Sequence, residues 1–393
     1  VDPGDTVKVD VGTYGETVSI PVNDLALVGA DSAATVFDVP ASAHKGLTAI
    51  SQSGLSLSHF QVRNSSDTGI YLDQVDSSEF VSLAVKDNFV GLLAKNSSGD
   101  TVTGITAEQN TGVGVALVNS TSARIAYNDF DKNQKALYLK ESNSNTILDN
   151  KFTSDTYGIG INTSNNNLVK ENTILSSKKS AVLFQNFSPG NTNNRLVHNT
   201  IELSSVGIHI HNVGSADSPN RVLMNDISSN DTAIYVESSP DSTGLLIADN
   251  NIHTEGQLFF SEAALPGSFD FRNNFWNTTD EAVLESSVRG TDSDSVLVSP
   301  YRLGLADTGV GADTVAPDTT DFISVSAGDE TVALEWNEVT SNEDGSALND
   351  FFEYRIYRDT APIDSAAGPS GLSPLDSTRA GTTSFVDTAV ASG

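Results

Sequence analysis

The 393-residue chain has no cysteine. Disulfides, thiolate nucleophiles and Cys-ligated metals are therefore excluded, although a lack of disulfides leaves the outside of a prokaryotic cell open. Basic residues are scarce. There are 21 Lys and Arg against 51 Asp and Glu, a formal charge of −30. That balance argues against nucleic acid or an anionic membrane as partner, and it predicts a soluble, self-repelling exterior suited to a saline or cation-rich medium. No apolar run approaches the roughly 18 residues of a membrane span, and no signal peptide opens the sequence. The start, Val1-Asp-Pro-Gly-Asp-Thr, falls mid-turn and reads as that of a processed or trimmed chain.

What is present is Asn, Ser, Thr, Asp and Gly, with short Val/Ile/Leu runs between them. Such a composition predicts many short strands joined by turns and little helix. The runs repeat. Gly69-Ile-Tyr-Leu, Gly91-Leu-Leu-Ala, Gly114-Val-Ala-Leu, Ala136-Leu-Tyr-Leu, Gly158-Ile-Gly-Ile, Ala181-Val-Leu-Phe, Gly207-Ile-His-Ile and Ala233-Ile-Tyr-Val begin 22, 23, 22, 22, 23, 26 and 26 residues apart. A second column keeps the same period, through Asn128, Asn150, Asn172, Asn199, Asn225, Asn251 and Asn274. Units this small cannot bury an apolar face alone, so they must stack. Stacking at about 4.8 Å satisfies the backbone between coils and builds one continuous core. The small residue opening each strand is expected to permit a tight corner. The repeated Asn is expected to form an amide ladder and to adopt the left-handed turn.

The pattern resembles the right-handed parallel β-helix repeat family, found in carbohydrate-binding and sugar-hydrolysing proteins and in NosD-like periplasmic proteins. The resemblance covers about residues 5 to 302. Pro3-Gly-Asp-Thr-Val-Lys-Val-Asp-Val-Gly-Thr-Tyr is similar to a first coil of that family, without the short capping helix that usually precedes it. Asn273-Asn-Phe-Trp276-Asn277 with Val298-Ser-Pro-Tyr is similar to a last coil, with Trp-Asn where the family has Trp-Gly. Residues 280–289 read as a short amphipathic helix capping the open end. The fold class is thus all-β, a right-handed parallel β-helix of about 22–26-residue coils over 1–302. A linker follows at 303–320. Residues 321–393, with Thr331-Val-Ala-Leu-Glu-Trp336 and Phe352-Glu-Tyr-Arg-Ile-Tyr-Arg358, resemble a fibronectin type III β-sandwich that stops before its last strands.

In each Gly/Ala-Ile-x-Leu strand the second and fourth residues are expected inside, and the third and fifth outside. The outward columns then hold Tyr138, Lys140, His209, His211, Tyr235 and Glu237, a candidate glycan-contacting strip. Aromatic rings stack on pyranose faces, Lys140 suits a uronate, and His or Tyr beside Glu237 suits proton transfer. The plain alternative is a solvent-facing ladder of mixed polar residues. A metal held by the two His and Glu237 is the weaker reading. The motif sets by which the resemblance would imply catalysis are missing: the Asn-Thr-Asp, Asp-Asp, Gly-His-Gly and Arg-x-Lys of polygalacturonan hydrolases, and the Asp-Pro-His-Glu of alginate epimerases. Arg195 and Arg221 align but lack the Asp cluster of a pectate-lyase site. No cofactor is expected. Calcium stays open at Asp217 and Asp292-Ser-Asp294. Sequons at Asn64, Asn96, Asn119, Asn162, Asn186, Asn230 and Asn277 are candidate N-glycosylation acceptors.

These features lead to the expectation of an extracellular or cell-surface structural or adhesive protein, possessing no recognisable catalytic set. Its expected partners are other surface proteins, further copies of itself, or polysaccharide. The competing expectation is a lyase or hydrolase acting on an acidic polysaccharide, and a third is a periplasmic accessory protein.

Overall fold

The computed structural model describes residues 1–185, 191–211, 218–238, 244–253, 256–261, 269–276, 278, 280–290, 296–298, 301–302, 305, 320, 322–328, 331–341, 353–358, 375–379 and 382–388. Contacts divide the chain into two compact units, Val1–Thr308 and Gly309–Gly393. Most of the expected linker, 303–320, lies outside the described residues.

The first unit is a right-handed parallel β-solenoid of about ten turns. Each coil gives one strand to each of three parallel sheets, of 11, 11 and 12 strands. In the third sheet Ile70, Leu92, Val115, Leu137, Ile159, Val182, Ile208 and Ile234 are successive register partners. Each of them is fully buried. One apolar core therefore runs the length of the stack, from Ile20 to Leu284 and Val298.

The Gly/Ala column owes its composition to space, not to backbone freedom. None of Gly69, Gly91, Gly114, Gly158 and Gly207 has a positive φ. A Cβ at Gly91 would lie 2.4 Å from the Gly114 carbonyl oxygen, and one at Gly158 would lie 2.5 Å from that of Ala181. Successive coils pass so closely here that only a hydrogen or a methyl group is accommodated.

Side-chain ladders fill the corners, and there are more of them than the single column read from the sequence. Asn128, Asn150, Asn172, Asn199, Asn225, Asn250 and Asn274 form one, each amide bonding the next at 2.9–3.0 Å. Its sixth member is Asn250, not Asn251, which begins the next strand. Asn145, Asn167, Asn194 and Asn220 form a second, and Asn88, Asn110, Asn133 and Asp155 a third. Ser97, Ser120, Ser142 and Ser164 make a hydroxyl version, each Oγ accepting from the backbone N–H of the coil before. The left-handed turn belongs to the residue before the ladder, not to the ladder Asn. Tyr127, Asp149, Glu171, His198 and Met224 have φ between 51° and 58°, which leaves the next side chain pointing inward.

The capping helix is shorter than expected, Glu281–Ser287. Val288–Gly290 instead joins the third sheet beside Gln257–Ser261. Asp280 caps the helix through Oδ1 to Ala282 N at 3.0 Å, and Leu284 is buried in the end of the core. No helix among the described residues is long and apolar enough to cross a membrane.

The second unit contains small antiparallel sheets. Phe322–Gly328 pairs with Thr331–Trp336, which pairs with Ser384–Asp387, and Glu353–Ile356 pairs with Asp376–Arg379. Trp336, Val339, Tyr354 and Ile356 form its core.

Candidate functional site

The outward face of the third sheet collects the strip residues. Leu183, His209 and Tyr235 are consecutive register partners, as are Lys140, Asn162, Gln185 and His211. The columns thus run as the repeat predicts, with one departure. A bulge between Ile210 and His211 pairs His211 with Ser238, so Glu237 is the extra residue and not the partner of His211. Bulges re-aim side chains. Here Glu237 Oε2 lies 3.0 Å from His209 Nε2 and 3.2 Å from His211 Nδ1. His209 Nδ1 in turn lies 3.3 Å from Ser180 Oγ, and its ring packs on Tyr235 with centroids 4.7 Å apart. Tyr235 continues onto Phe260 at 5.6 Å.

Two adjoining coils of the same face form a separate patch. Tyr138 lies across Gly160, where a Cβ would come within 2.9 Å of the ring. Its hydroxyl accepts from Asn162 Nδ2 at 2.7 Å, and Lys135 Nζ stands 4.3 Å from the ring centroid. Lys140 is exposed and makes only a loose contact with Glu141, at 3.8 Å. Tyr138 and His209 are three coil steps apart, about 14 Å at the usual strand spacing.

The sequence reading missed a further column, running from Lys45 through Thr68, Val90 and Val113 to Lys135, Tyr157 and the buried Ser180, in which Lys45, Lys135 and Tyr157 reach the outside. Strict alternation places these residues on the other phase. However, Ala136 and Leu137 both face inward at the close coil contact, which returns Lys135 to the outside. The available signal was Lys135 and Tyr157, long polar side chains standing directly before Ala136 and Gly158 where most other coils have Val, Thr or Ser. Further down the same face, Lys45 Nζ lies 3.2 Å from the Tyr71 centroid. Tyr71 donates to Asp73 at 2.9 Å. Burial opposes ionisation of Asp73, but hydrogen bonds from Asn96 and Tyr71 and the charge of Lys95 outweigh it and hold the carboxyl below its ordinary range.

Asp73 and Glu237 are the carboxylates of the third and fifth columns from Tyr71 to Glu237. They stand seven coil steps apart, roughly 34 Å, whereas paired glycosidase carboxylates sit about 5–9.5 Å apart. Arg195 and Arg221 are register partners on the first sheet, away from this face.

The sequons differ in setting. Asn64 and Asn119 are exposed, and with Asn96 they occupy left-handed turns. Asn162 and Asn230 are buried, with Nδ2 bonded to Tyr138 Oη and Ile201 O. Asn186 and Asn277, like Asp217, Asp292 and Asp294, lie outside the described residues.

A family model described as "Periplasmic copper-binding protein (NosD)" matches residues 32–187, less than half of the chain. No curated protein matches. Among solved structures, the A-module of the mannuronan C-5 epimerase AlgE6 from Azotobacter vinelandii is similar at 13% identity and a TM-score of 0.50, over 70% of this chain and 92% of that one. The AlgE4 A-module from the same organism is similar at 13% and 0.50, over 67% and 90%. The catalytic unit of a GH87 α-1,3-glucanase from Streptomyces thermodiastaticus is similar at 17% and 0.51, over 70% and 58%. These likenesses establish the fold alone. Copper calls for several donors turned toward one point. Among the described residues no three His, Cys, Asp or Glu side chains are so grouped, since the Glu237 oxygen itself fills the point between the two imidazoles. The one Met, Met224, is buried. The described residues therefore do not fit a copper centre.

Proposed function

We propose that the solenoid is an extracytoplasmic structural or adhesive β-helix that binds polysaccharide along the outward face of its third sheet. The observation that carries this reading is the series of fixed rings on that face. Tyr138 is pinned by Asn162 over Gly160, and His209, Tyr235 and Phe260 pack in succession. Immobilised aromatic faces suit pyranose rings because stacking then costs little side-chain entropy. The fold shared with carbohydrate-active β-helices and the periplasmic family description support the reading. The second unit is read as a fibronectin type III-like display module, supported by Trp336 packed on Tyr354 at 5.2 Å. Copies of the chain and other surface proteins remain its proposed partners.

A second reading, a lyase or hydrolase for an acidic polysaccharide, is favoured by the bulge that turns Glu237 onto both histidines. Retention of the purified chain in gels carrying uronate or neutral polysaccharides, with assay of unsaturated and reducing ends with and without calcium, separates the two. Retention without turnover, lost in Tyr138→Ala/Tyr235→Ala, is expected. Turnover abolished by His209→Ala or Glu237→Ala would replace binding with catalysis. Retention by no polysaccharide would end the proposal.

A further inference from the structure

Lysine is distributed unevenly along the chain. Nine of eleven lysines fall between residues 86 and 179, and none follows Lys179. That stretch holds nine lysines and one arginine against nine carboxylates, while the whole chain carries −30. A locally neutral-to-basic belt in so acidic a protein needs a cause.

Several of these lysines have one. Lys86 pairs with Glu108, Lys95 with Asp73, Lys132 with Asp131 and Lys170 with Glu171. Among the described residues Lys151, which stands apart on the second sheet, has no carboxylate partner, and neither do Lys135, Lys178 and Lys179. These last three lie together. Lys135 and Tyr157 are register partners, and Lys178-Lys179 lead into Ser180, the next partner of Tyr157. Lys179 Nζ stands 5.5 Å from the Tyr157 centroid, as Lys135 Nζ does 4.3 Å from that of Tyr138. Lys135 is half-buried, and desolvation lowers its ammonium pKa with no carboxylate opposing it. An ammonium withdrawn from water without a counter-ion is costly. With 51 acidic residues in the chain, a partner within the fold was readily supplied had folding been the only demand.

We infer that Lys135, Tyr138, Lys140, Tyr157, Lys178 and Lys179 bind an anionic polysaccharide, a polyuronate, whose carboxylates meet the ammonium groups while its pyranose faces meet the two tyrosines. The inference rests on the glycan-binding reading and narrows it to one ligand class and a few coils. The cations recur along the stack, with Lys135 and Lys179 two coil steps apart, about 10 Å. A polymer bearing a carboxylate on every sugar meets both; a single small acid meets one.

Calorimetric titration with polygalacturonate and with the same polymer fully methyl-esterified tests this. The acid form is expected to bind, more weakly as salt rises, and the neutral ester to bind about tenfold less tightly. Lys135→Gln/Lys179→Gln should lose about tenfold for the acid and nothing for the ester, whereas Lys135→Arg/Lys179→Arg should keep the affinity. Equal binding of acid and ester, or indifference to the Gln pair, overturns the polyuronate inference and leaves glycan binding standing. Binding of neither polymer, nor of any polysaccharide in the wider panel, overturns both. Should the Gln pair unfold, the acid–ester ratio of the native chain decides alone.

Discussion

Asp155 occupies a place that asparagine holds in the coils before it. Nδ2 of Asn88, Asn110 and Asn133 donates to the carbonyls of Val62, Val85 and Ala107. Register places the Phe130 carbonyl at the equivalent position for Asp155. A carboxylate has no donor to offer there; a carboxylic acid has one. Oδ1 accepts from Asn133 N and Nδ2 at 2.7 and 3.0 Å, while the buried Oδ2 has no partner. Burial, with the nearby Asp131 charge adding to it, raises this acid to about 7 despite those hydrogen bonds. Asp100, buried beneath Asp76 and bonded to Ser78 N, is likewise raised to about 7. Both groups hold their protons in the folded state up to pH about 7, whereas the unfolded chain releases them near the ordinary 3.8. Their contribution is complete below pH ~4, declines as pH rises toward 7 and is flat above, on the order of up to 4 kcal/mol each. Asp155→Asn should remove most of its share. In guanidinium denaturation followed from pH 4 to 8, it is expected to match the native chain near pH 4 and to exceed its stability at pH 8. A variant less stable than the native chain at pH 8 would show that Asp155 is not an amide substitute.

At the scale of the strand, the Gly/Ala column sets how closely coils approach. Gly158→Val should cost several kcal/mol and lower Tm markedly, because two γ-methyl groups must enter a space where even a Cβ would lie 2.5 Å from the Ala181 carbonyl oxygen and 2.9 Å from Ile174 Cγ2. Gly158→Ala brings the same Cβ contact and should also destabilise, but less than Val, because it adds no γ-methyl groups and Ala136, Ala181 and Ala233 occupy the same column. A Val variant that melts with the native chain would refute the close-contact account. This column, the inward Ile/Leu pairs and the first Asn ladder were legible in the sequence because every coil repeats them. The two further Asn ladders and the Ser ladder were less legible, since Asp, Ser and Ala interrupt their columns. The bulge at Glu237 was not legible at all. It depends on one extra residue in Thr232–Ser238 relative to Val206–His211, and a strict column count cannot register an insertion. The inward kink at Ala136-Leu137 likewise concealed Lys135 and Tyr157, two of the six residues of the basic patch. Of the six strip residues, the structure brings His209, His211, Tyr235 and Glu237 into contact and leaves Tyr138 and Lys140 about three coils away.

Over the whole solenoid, the repeating backbone makes every face geometrically similar, so side-chain chemistry alone distinguishes one face from another. The third sheet differs in that its outward rings are held in place and stand beside lysines, Lys135 over Tyr138 and Lys179 beside Tyr157. Tyrosines elsewhere serve as internal controls, notably Tyr127, which is 60% exposed at a corner outside the third sheet. Hydroxyl-radical footprinting of the native chain with and without polygalacturonate tests the central claim most directly. Protection of Tyr138, Tyr157 and Tyr235 with Tyr127 unchanged is the predicted result. Unchanged labelling of all four, or protection of Tyr127 to the same degree, would contradict a glycan-binding face on the third sheet.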